Sequence, residues 1–205
     1  MDHPYATPET NGWPSTLRPP SAFLHPQLHQ AEGMVAVQLG VSLGEAVARL
    51  RIYAALIDQQ LTDVACSVVE RRLQLSSPTI VDAAGNVVMW DLGSGLGVSR
   101  QARGHLSALL TAWGLAGDHG DSALNVMNEL VDNAVEHGGG LLGVAVTREG
   151  HAVKVSVLDG STEPPTVRPR NPLAARGRGL QIVDALALSW GYLVHDFGKT
   201  VWASM

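Results

Sequence analysis

The chain has 205 residues, a hydrophobic content of 45% and a formal net charge of −5. This length allows one or two domains with a sizeable core, and the longest apolar runs are too short to cross a bilayer, so no membrane partner is expected. The negative charge argues against a general nucleic-acid binder, because such proteins gain affinity by neutralising phosphates. The single cysteine, Cys66, excludes an internal disulfide framework, and without a signal-like N-terminal segment we expect a cytoplasmic protein.

The first part of the chain is predicted to be a tail followed by three helices. Residues 1–20 are rich in proline and polar side chains, which is typical of a disordered tail. Within the predicted helical domain, residues 22–74, the first helix lies near Leu24–Leu39. Ser42, followed three residues later by a glutamate, forms a capping-box pattern at the start of the second helix. Apolar residues three and four apart predict a third helix over Leu61–Leu73.

These helices carry motifs that resemble the ANTAR domain, a three-helix unit associated with RNA-binding transcription antitermination. The matching motifs are Gln30-Ala31-Glu32-Gly33-Met34, Leu39-Gly40-Val41-Ser42, Glu45-Ala46, Arg49-Leu50-Arg51, Tyr53-Ala54 and Leu61-Thr62-Asp63-Val64-Ala65. The resemblance implies an RNA hairpin as a partner. The arginines that would contact it are Arg49, Arg51, Arg71 and Arg72. RNA-binding surfaces normally show a basic stripe, and acidic residues outnumber these arginines here, so a protein-docking or dimerising role remains the alternative.

The next segment changes from helical to strand-like periodicity. Ser76-Ser77-Pro78 breaks the helical pattern and is predicted to be a linker. Strand-like alternation begins at Thr79, and a turn is predicted at Ala84-Gly85-Asn86. A further helix is expected around Ser99–Trp113. The second domain is therefore predicted to cover residues 79–205.

The most informative segment is the helical stretch 128–137. Glu129, Asn133 and His137 recur every four residues, so they lie along one stripe of a helix, while apolar residues face a core on the other side. A carboxylate on this stripe can accept a proton, and an amide oxygen one turn away can hold a hard cation such as Mg²⁺. Because such a stripe is also typical of a merely solvated helix face, its meaning depends on the motifs later in the chain.

Three further motifs come after this helix in order. Two strand-like runs, Leu141–Thr147 and Ala152–Leu158, come first, and the second ends at Asp159-Gly160. Gly177-Arg178-Gly179-Leu180 then opens an amphipathic helix, whose N-terminus offers unpaired N–H groups to a phosphate. The chain closes with Gly198-Lys199-Thr200-Val201-Trp202. The order of the motifs is a far more specific signal than any one of them.

This ordered set resembles the GHKL-type ATP-binding fold and, more narrowly, the small anti-sigma-factor serine kinases. Their N box is matched by residues 129–137, their acid box in part by Asp159-Gly160, and their second glycine box by residues 177–180. The resemblance implies a two-layer α/β sandwich with a mixed, mainly antiparallel sheet. Together with the ANTAR-like bundle, it predicts an α+β protein.

The resemblance implies ATP and Mg²⁺ as cofactors, a sigma factor or an anti-anti-sigma antagonist as partner, and a homodimer. Glu129 would be the general base that takes the proton from a protein serine, and Asn133 would coordinate the Mg²⁺. Asp159 would accept a hydrogen bond from the adenine amino group, although a strand-end Asp-Gly turn is also common. The other residues implied to contact the nucleotide are His137, Gly160, Gly177, Arg178, Gly179, Leu180 and Thr200.

The acid box departs from the family pattern. A second glycine often follows this motif, whereas here Asp159-Gly160 is followed by Ser161-Thr162-Glu163-Pro164-Pro165. The two prolines stiffen the start of the predicted lid, on which catalysis depends. Two functions for a bacterial transcription regulator remain: an anti-sigma-type serine/threonine kinase, and a catalytically inactive nucleotide-sensing module that controls RNA or sigma-factor binding.

Overall fold

The computed structural model describes residues 26–75, 79–82, 84–93, 95, 97–166 and 178–205. The predicted tail, the predicted linker and Gly177 lie outside these residues. The described helices are α1 (Pro26–Leu39), α2 (Leu43–Leu56), α3 (Leu61–Val69), α4 (Val98–Trp113), α5 (Asp118–His137) and α6 (Gly179–Leu186). The described strands are β1 (Leu73–Gln74), β2 (Thr79–Asp82), β3 (Val87–Trp90), β4 (Leu141–Glu149), β5 (Ala152–Asp159), β6 (Ser189–His195) and β7 (Gly198–Ser204).

The described strands form one seven-stranded sheet in the order β1-β2-β3-β4-β5-β7-β6. Each neighbouring pair is antiparallel, so the predicted α+β class and mainly antiparallel sheet are confirmed. β5 lies between β4 and β7, and its last residue, Asp159, pairs with Lys199 of β7. Because side chains alternate between the two faces of a strand, this register decides which side chains share a face.

Helices α1–α3 cover one face of the sheet, which we call the module face. Ile52 and Leu56 of α2 are almost completely buried and share a core with Ala145 and Leu158 of the sheet. Gly143 permits this close approach, because a Cβ atom there would lie 3.0 Å from Leu56 Cδ1. The three predicted helices are therefore present, and they pack on one another while α2 packs on the centre of the sheet.

Helices α4–α6 cover the opposite face, which we call the pocket face. Their core joins buried residues of α5, such as Met127 and Val131, to inward-facing residues of β4 and β5, such as Val144 and Val155. The predicted two-layer sandwich describes this half of the structure. The described chain as a whole has three layers, because α2 buries its apolar side chains on the sheet.

The ends of the N-terminal helices follow from local chemistry. Ser42 caps α2, since its hydroxyl accepts a hydrogen bond from the Glu45 N–H at 3.2 Å. The third helix ends at Val69, not at the predicted Leu73. Arg71 adopts a left-handed φ of +60°, which interrupts the helix before Leu73 enters β1.

In the part of the chain that the structure describes, no single helix combines the length and apolar content needed to cross a membrane. The pair α1 and α2, bent by 106°, meets that requirement only jointly, by length and composition.

Candidate functional site

α5 places the predicted polar stripe at the edge of a cavity of about 290 Å³ on the pocket face. Asn133 and His137 line this cavity, and Asp159 lines it from the end of β5. The opposite side of α5 is fixed in the core by Met127 and Val131, both of which are fully buried. The amphipathic pattern of the helix therefore turns the polar stripe towards a concave site.

The N-terminus of α6 meets the polar stripe of α5 at Gly179. A Cβ atom at this position would lie 2.9 Å from Glu129 Oε2 and 3.0 Å from Asn133 Nδ2. Glycine is therefore the residue that lets the first turn of α6 approach both side chains. The next residue, Leu180, lines the cavity. A helix N-terminus in this position offers N–H groups and a positive dipole to an anion.

Asn133 has an unused hydrogen-bonding group. Among the described residues its Nδ2 atom is buried and has no hydrogen-bond partner. Leaving a buried polar group unpaired costs about 1–3 kcal/mol, so its retention at the wall of a cavity points to a ligand. The Asn133 amide oxygen and the nearby Glu129 carboxylate are oxygen ligands of the kind that Mg²⁺ prefers. This ion takes few ligands from the protein and keeps water and phosphate oxygens as the others.

Glu129 has an increased affinity for protons. Burial raises the pKa of its carboxyl group, and the negative charge of Asp132 raises it further. Asp132 is itself held in place, because its carboxylate accepts hydrogen bonds from Ser99 Oγ and, at 3.2 Å, from Asn128 Nδ2. A carboxylate with a raised pKa is the more effective proton acceptor near neutral pH.

Asp159 lines the cavity and is almost completely buried. Its Oδ1 atom accepts hydrogen bonds from the Ser161 N–H at 2.9 Å and from Lys199 Nζ at 3.0 Å. Burial raises the pKa of Asp159, while the Lys199 ammonium and the Ser161 N–H act in the opposite direction. Gly138 and Gly198 leave room for it, because a Cβ atom at Gly138 would lie 2.5 Å from Asp159 Oδ2 and one at Gly198 would overlap the Asp159 carbonyl oxygen.

The structure brings most of the predicted site residues together. Those that line the cavity are Asn133, His137, Asp159, Gly179 and Leu180. Glu129 lies against Gly179, and Gly160 anchors the end of β5 by donating its N–H to the Gly140 carbonyl at 3.1 Å. Arg178 is exposed at the N-cap of α6 and does not belong to the lining. Gly177 lies outside the described residues.

Thr200 does not line the cavity, so its predicted nucleotide contact stays a prediction. Its hydroxyl donates to the Ala55 carbonyl oxygen at 3.0 Å and lies 2.9 Å from His195 Nε2, on the module face. The cause is the strand register, because Thr200 pairs with Leu158 and not with Asp159. Lys199, one residue earlier, takes the position in the cavity. Because side chains alternate along a strand, the sequence predicts that Lys199 and Thr200 point to opposite faces of the sheet. It does not show which of these faces carries the site.

The predicted RNA-contacting role of Arg49 and Arg51 also stays a prediction, and in the structure both side chains meet carboxylates. Arg49 lies 3.3 Å from carboxylate oxygens of both Glu45 and Asp91, and Arg51 lies 2.6 Å from the carboxylate of Asp196. Both guanidinium-bearing side chains are about one-tenth exposed. They are neutralised and buried because α2 faces the sheet, which leaves little of either to contact phosphates.

The other two predicted arginines follow α3 and are exposed. Arg72 forms an ion pair with Glu70, and Arg71 occupies the left-handed turn that ends the helix. The four arginines therefore do not form a single exposed basic stripe.

No family model matches this sequence, and no curated protein matches it. A solved structure of the RsbU and RsbW domains of Rv1364c from Mycobacterium tuberculosis is similar, with a TM-score of 0.46 and 21% sequence identity. The similarity covers 83% of this chain and 49% of that chain, so this chain spans about half the length of that structure. The described helices and strands form an α+β fold with one antiparallel sheet.

Proposed function

We propose that the cavity on the pocket face binds ATP with Mg²⁺, and that the protein regulates transcription as an anti-sigma-type serine/threonine kinase. The observation that carries this proposal is the buried, unpaired Nδ2 group of Asn133, a hydrogen-bond donor that lies beside the N-terminus of α6 in the cavity that also contains Asp159. The ordered motif series supports the same nucleotide and the same class of partners, a sigma factor or its antagonist protein.

Each part of the cavity has a separate task in this proposal. The N–H groups at the start of α6 bind phosphate oxygens, and Asn133 supplies an amide oxygen to the metal. Mg²⁺, when bound, neutralises negative charge on the phosphate oxygens. Asp159 accepts a hydrogen bond from the amino group of the base. Glu129 takes the proton from the hydroxyl of a serine on the partner protein, and its raised pKa strengthens it as an acceptor.

Calorimetry and thermal unfolding with ATP, with and without Mg²⁺, test the binding site. ATP at about 100 times its dissociation constant should stabilise the wild type by roughly 2.7 kcal/mol. Asn133→Ala should lose the Mg²⁺-dependent part of this stabilisation. Asn125→Ala is the matched control, since Asn125 is exposed on the same helix and does not line the cavity. Equal Mg²⁺-dependent binding by wild type and Asn133→Ala would contradict the proposal.

A nucleotide-sensing module without turnover is the second candidate function. Pro164 and Pro165 line the cavity directly after the acid box, and each fixes its backbone φ where the resemblance implies a mobile lid. In this alternative the occupied cavity controls the binding of a sigma factor or of RNA, and Glu129 has no proton to accept.

Transfer of labelled phosphate from ATP to serine on a sigma-factor antagonist separates the two functions. A kinase should lose about 10²- to 10⁴-fold in rate in Glu129→Gln, while Mg²⁺-ATP still binds. Mg²⁺-dependent binding in the wild type without any phosphoserine would establish the sensing module instead.

The ANTAR-like assignment of the helical part and the homodimer remain proposals. The ion pairs of Arg49 and Arg51 favour a role for α2 in supporting the sheet over a role in contacting RNA. An RNA titration at increasing salt concentration decides between them, because phosphate contacts produce a steep fall in affinity. We expect the wild type to show no steep, salt-dependent affinity for RNA. Salt-dependent RNA binding that is lost in a folded Arg49→Met variant would instead show that α2 contacts RNA.

A further inference from the structure

The ion pair between Lys199 and Asp159 has bonding capacity that the described residues do not use. Asp159 Oδ1 accepts from both Lys199 Nζ and the Ser161 N–H, which leaves Oδ2 as the acceptor for a ligand. Lys199 Nζ donates one hydrogen bond within the described residues, and an ammonium group has three N–H donors. Both side chains are less than one-tenth exposed and line the cavity.

The pair lies at the end of the cavity that is distant from the phosphate-binding elements. Asp159 contacts Gly138, whereas Gly179 at the start of α6 contacts Asn133. Gly138 is the C-cap of α5 and lies five positions after Asn133, which corresponds to roughly 7.5 Å along the helix axis. A nucleotide with its phosphates at the start of α6 therefore presents its base to Lys199 and Asp159.

We propose that Lys199 is a specificity-determining residue, whose Nζ donates to the N1 atom of adenine while the adjacent amino group donates to Asp159. This inference rests on the proposed nucleotide function of the same cavity. The 3.0 Å bond between Lys199 Nζ and Asp159 Oδ1 holds an ammonium donor next to a carboxylate acceptor, and this arrangement matches the edge of adenine, which presents an amino donor next to a ring acceptor. The bond to N1 is charge-assisted and buried, so it discriminates more strongly than a neutral contact at the surface.

The inference is tested by measuring the affinities of Mg²⁺-ATP, 1-deaza-ATP and 7-deaza-ATP for the full chain by calorimetry. In 1-deaza-ATP a C–H replaces N1 and the amino group is retained. We expect the wild type to bind 1-deaza-ATP about 10- to 100-fold more weakly than ATP, the range for a hydrogen bond to a charged donor. 7-deaza-ATP should bind like ATP, because N7 lies on another edge of the ring.

Two lysine variants complete a double-mutant cycle between protein and ligand. Lys199→Met should reduce the ratio of the ATP and 1-deaza-ATP affinities to nearly one. Lys154→Met should keep the wild-type ratio, since Lys154 lies over the Trp202 ring and does not line the cavity. The wild-type comparison remains decisive if Lys199→Met does not fold.

The outcomes separate this inference from the proposed function. If the wild type binds ATP and 1-deaza-ATP equally, or if Lys199→Met keeps the wild-type ratio, Lys199 does not contact N1 and the inference is wrong. If the wild type binds none of the three nucleotides, the proposed function itself is wrong and the inference falls with it.

Discussion

On the pocket face of the sheet, Lys199 of β7 and Asp159 of β5 form an ion pair with spare donors and a spare carboxylate oxygen, in the cavity that also contains the unpaired Nδ2 group of Asn133. On the module face, one residue later, Thr200 donates to the Ala55 carbonyl oxygen and meets His195 Nε2. The two faces belong to one strand and differ in how completely their polar groups are bonded. Spare hydrogen-bonding capacity inside a cavity indicates a ligand, whereas saturated bonds indicate a structural contact.

The ion pairs of the two faces also differ in how far their side chains are exposed to water. Arg51 reaches Asp196, whose side chain is 64% exposed, so this pair remains close to water. The Lys199–Asp159 pair is buried on both sides, and a buried pair is weak support for stability because both ions lose their hydration. We therefore assign the module-face pair to packing of α2 against the sheet, and the pocket-face pair to recognition.

The largest effect is expected from removing the helical layer. Residues 79–205 expressed alone would expose the apolar module face, including Met89, Ala145, Leu158 and Phe197. We expect this fragment to bind a hydrophobic dye and to aggregate, because exposed apolar patches of this kind promote association. Dye fluorescence and sedimentation of the fragment check this. A monomeric fragment with cooperative unfolding would show instead that the predicted boundary separates two independently stable domains.

A smaller but still large loss of stability is expected for Gly198→Ala. The added Cβ atom overlaps the Asp159 carbonyl oxygen, which is backbone and cannot move aside alone, so we expect a loss of about 3 kcal/mol. Gly33→Ala is the control, since its Cβ atom meets no other atom within 4 Å in the middle of α1 and should stabilise the protein by about 0.5–1 kcal/mol. Urea unfolding measures both. Equal stability of Gly198→Ala and wild type would contradict the packing of β5 against β7.

The smallest expected effect is an opposite pH dependence of stability on the two faces. Burial raises the pKa of Asp159 above 3.8, so the folded state binds its proton more tightly and stability falls as pH rises from 3.8 through the raised pKa. Burial lowers the pKa of His195 below 6.5, so its contribution is complete above pH 6.5 and is lost as pH falls through the lowered pKa.

Urea unfolding across this pH range measures the two slopes. Asp159→Asn should remove the acid-side gain in stability, and His195→Gln should remove the loss below pH 6.5. The comparison of the two faces would be wrong if either variant kept the wild-type slope in its own pH window.

Local patterns in the sequence predicted the elements well, because helix periodicity and caps are local. The polar stripe of Glu129, Asn133 and His137 was predicted, since it needs only the geometry of one helix. The sequence does not show that Lys199 lines the cavity while Thr200 lies on the module face, because a strand's faces are fixed by pairing with a distant strand. Basic residues of α2 were assigned to a surface because the sequence does not show which carboxylates they meet after folding.

The most direct test of the account is a calorimetric titration of Mg²⁺-ATP into wild type, Asp159→Asn and Thr200→Val. The account predicts at least about tenfold weaker binding for Asp159→Asn, because a charged hydrogen-bond acceptor is lost. Thr200→Val should lose about 1 kcal/mol of stability with the Ala55 hydrogen bond and keep the wild-type affinity. Unchanged affinity in Asp159→Asn, or an equal loss in Thr200→Val, would contradict the assignment of the nucleotide to the pocket face.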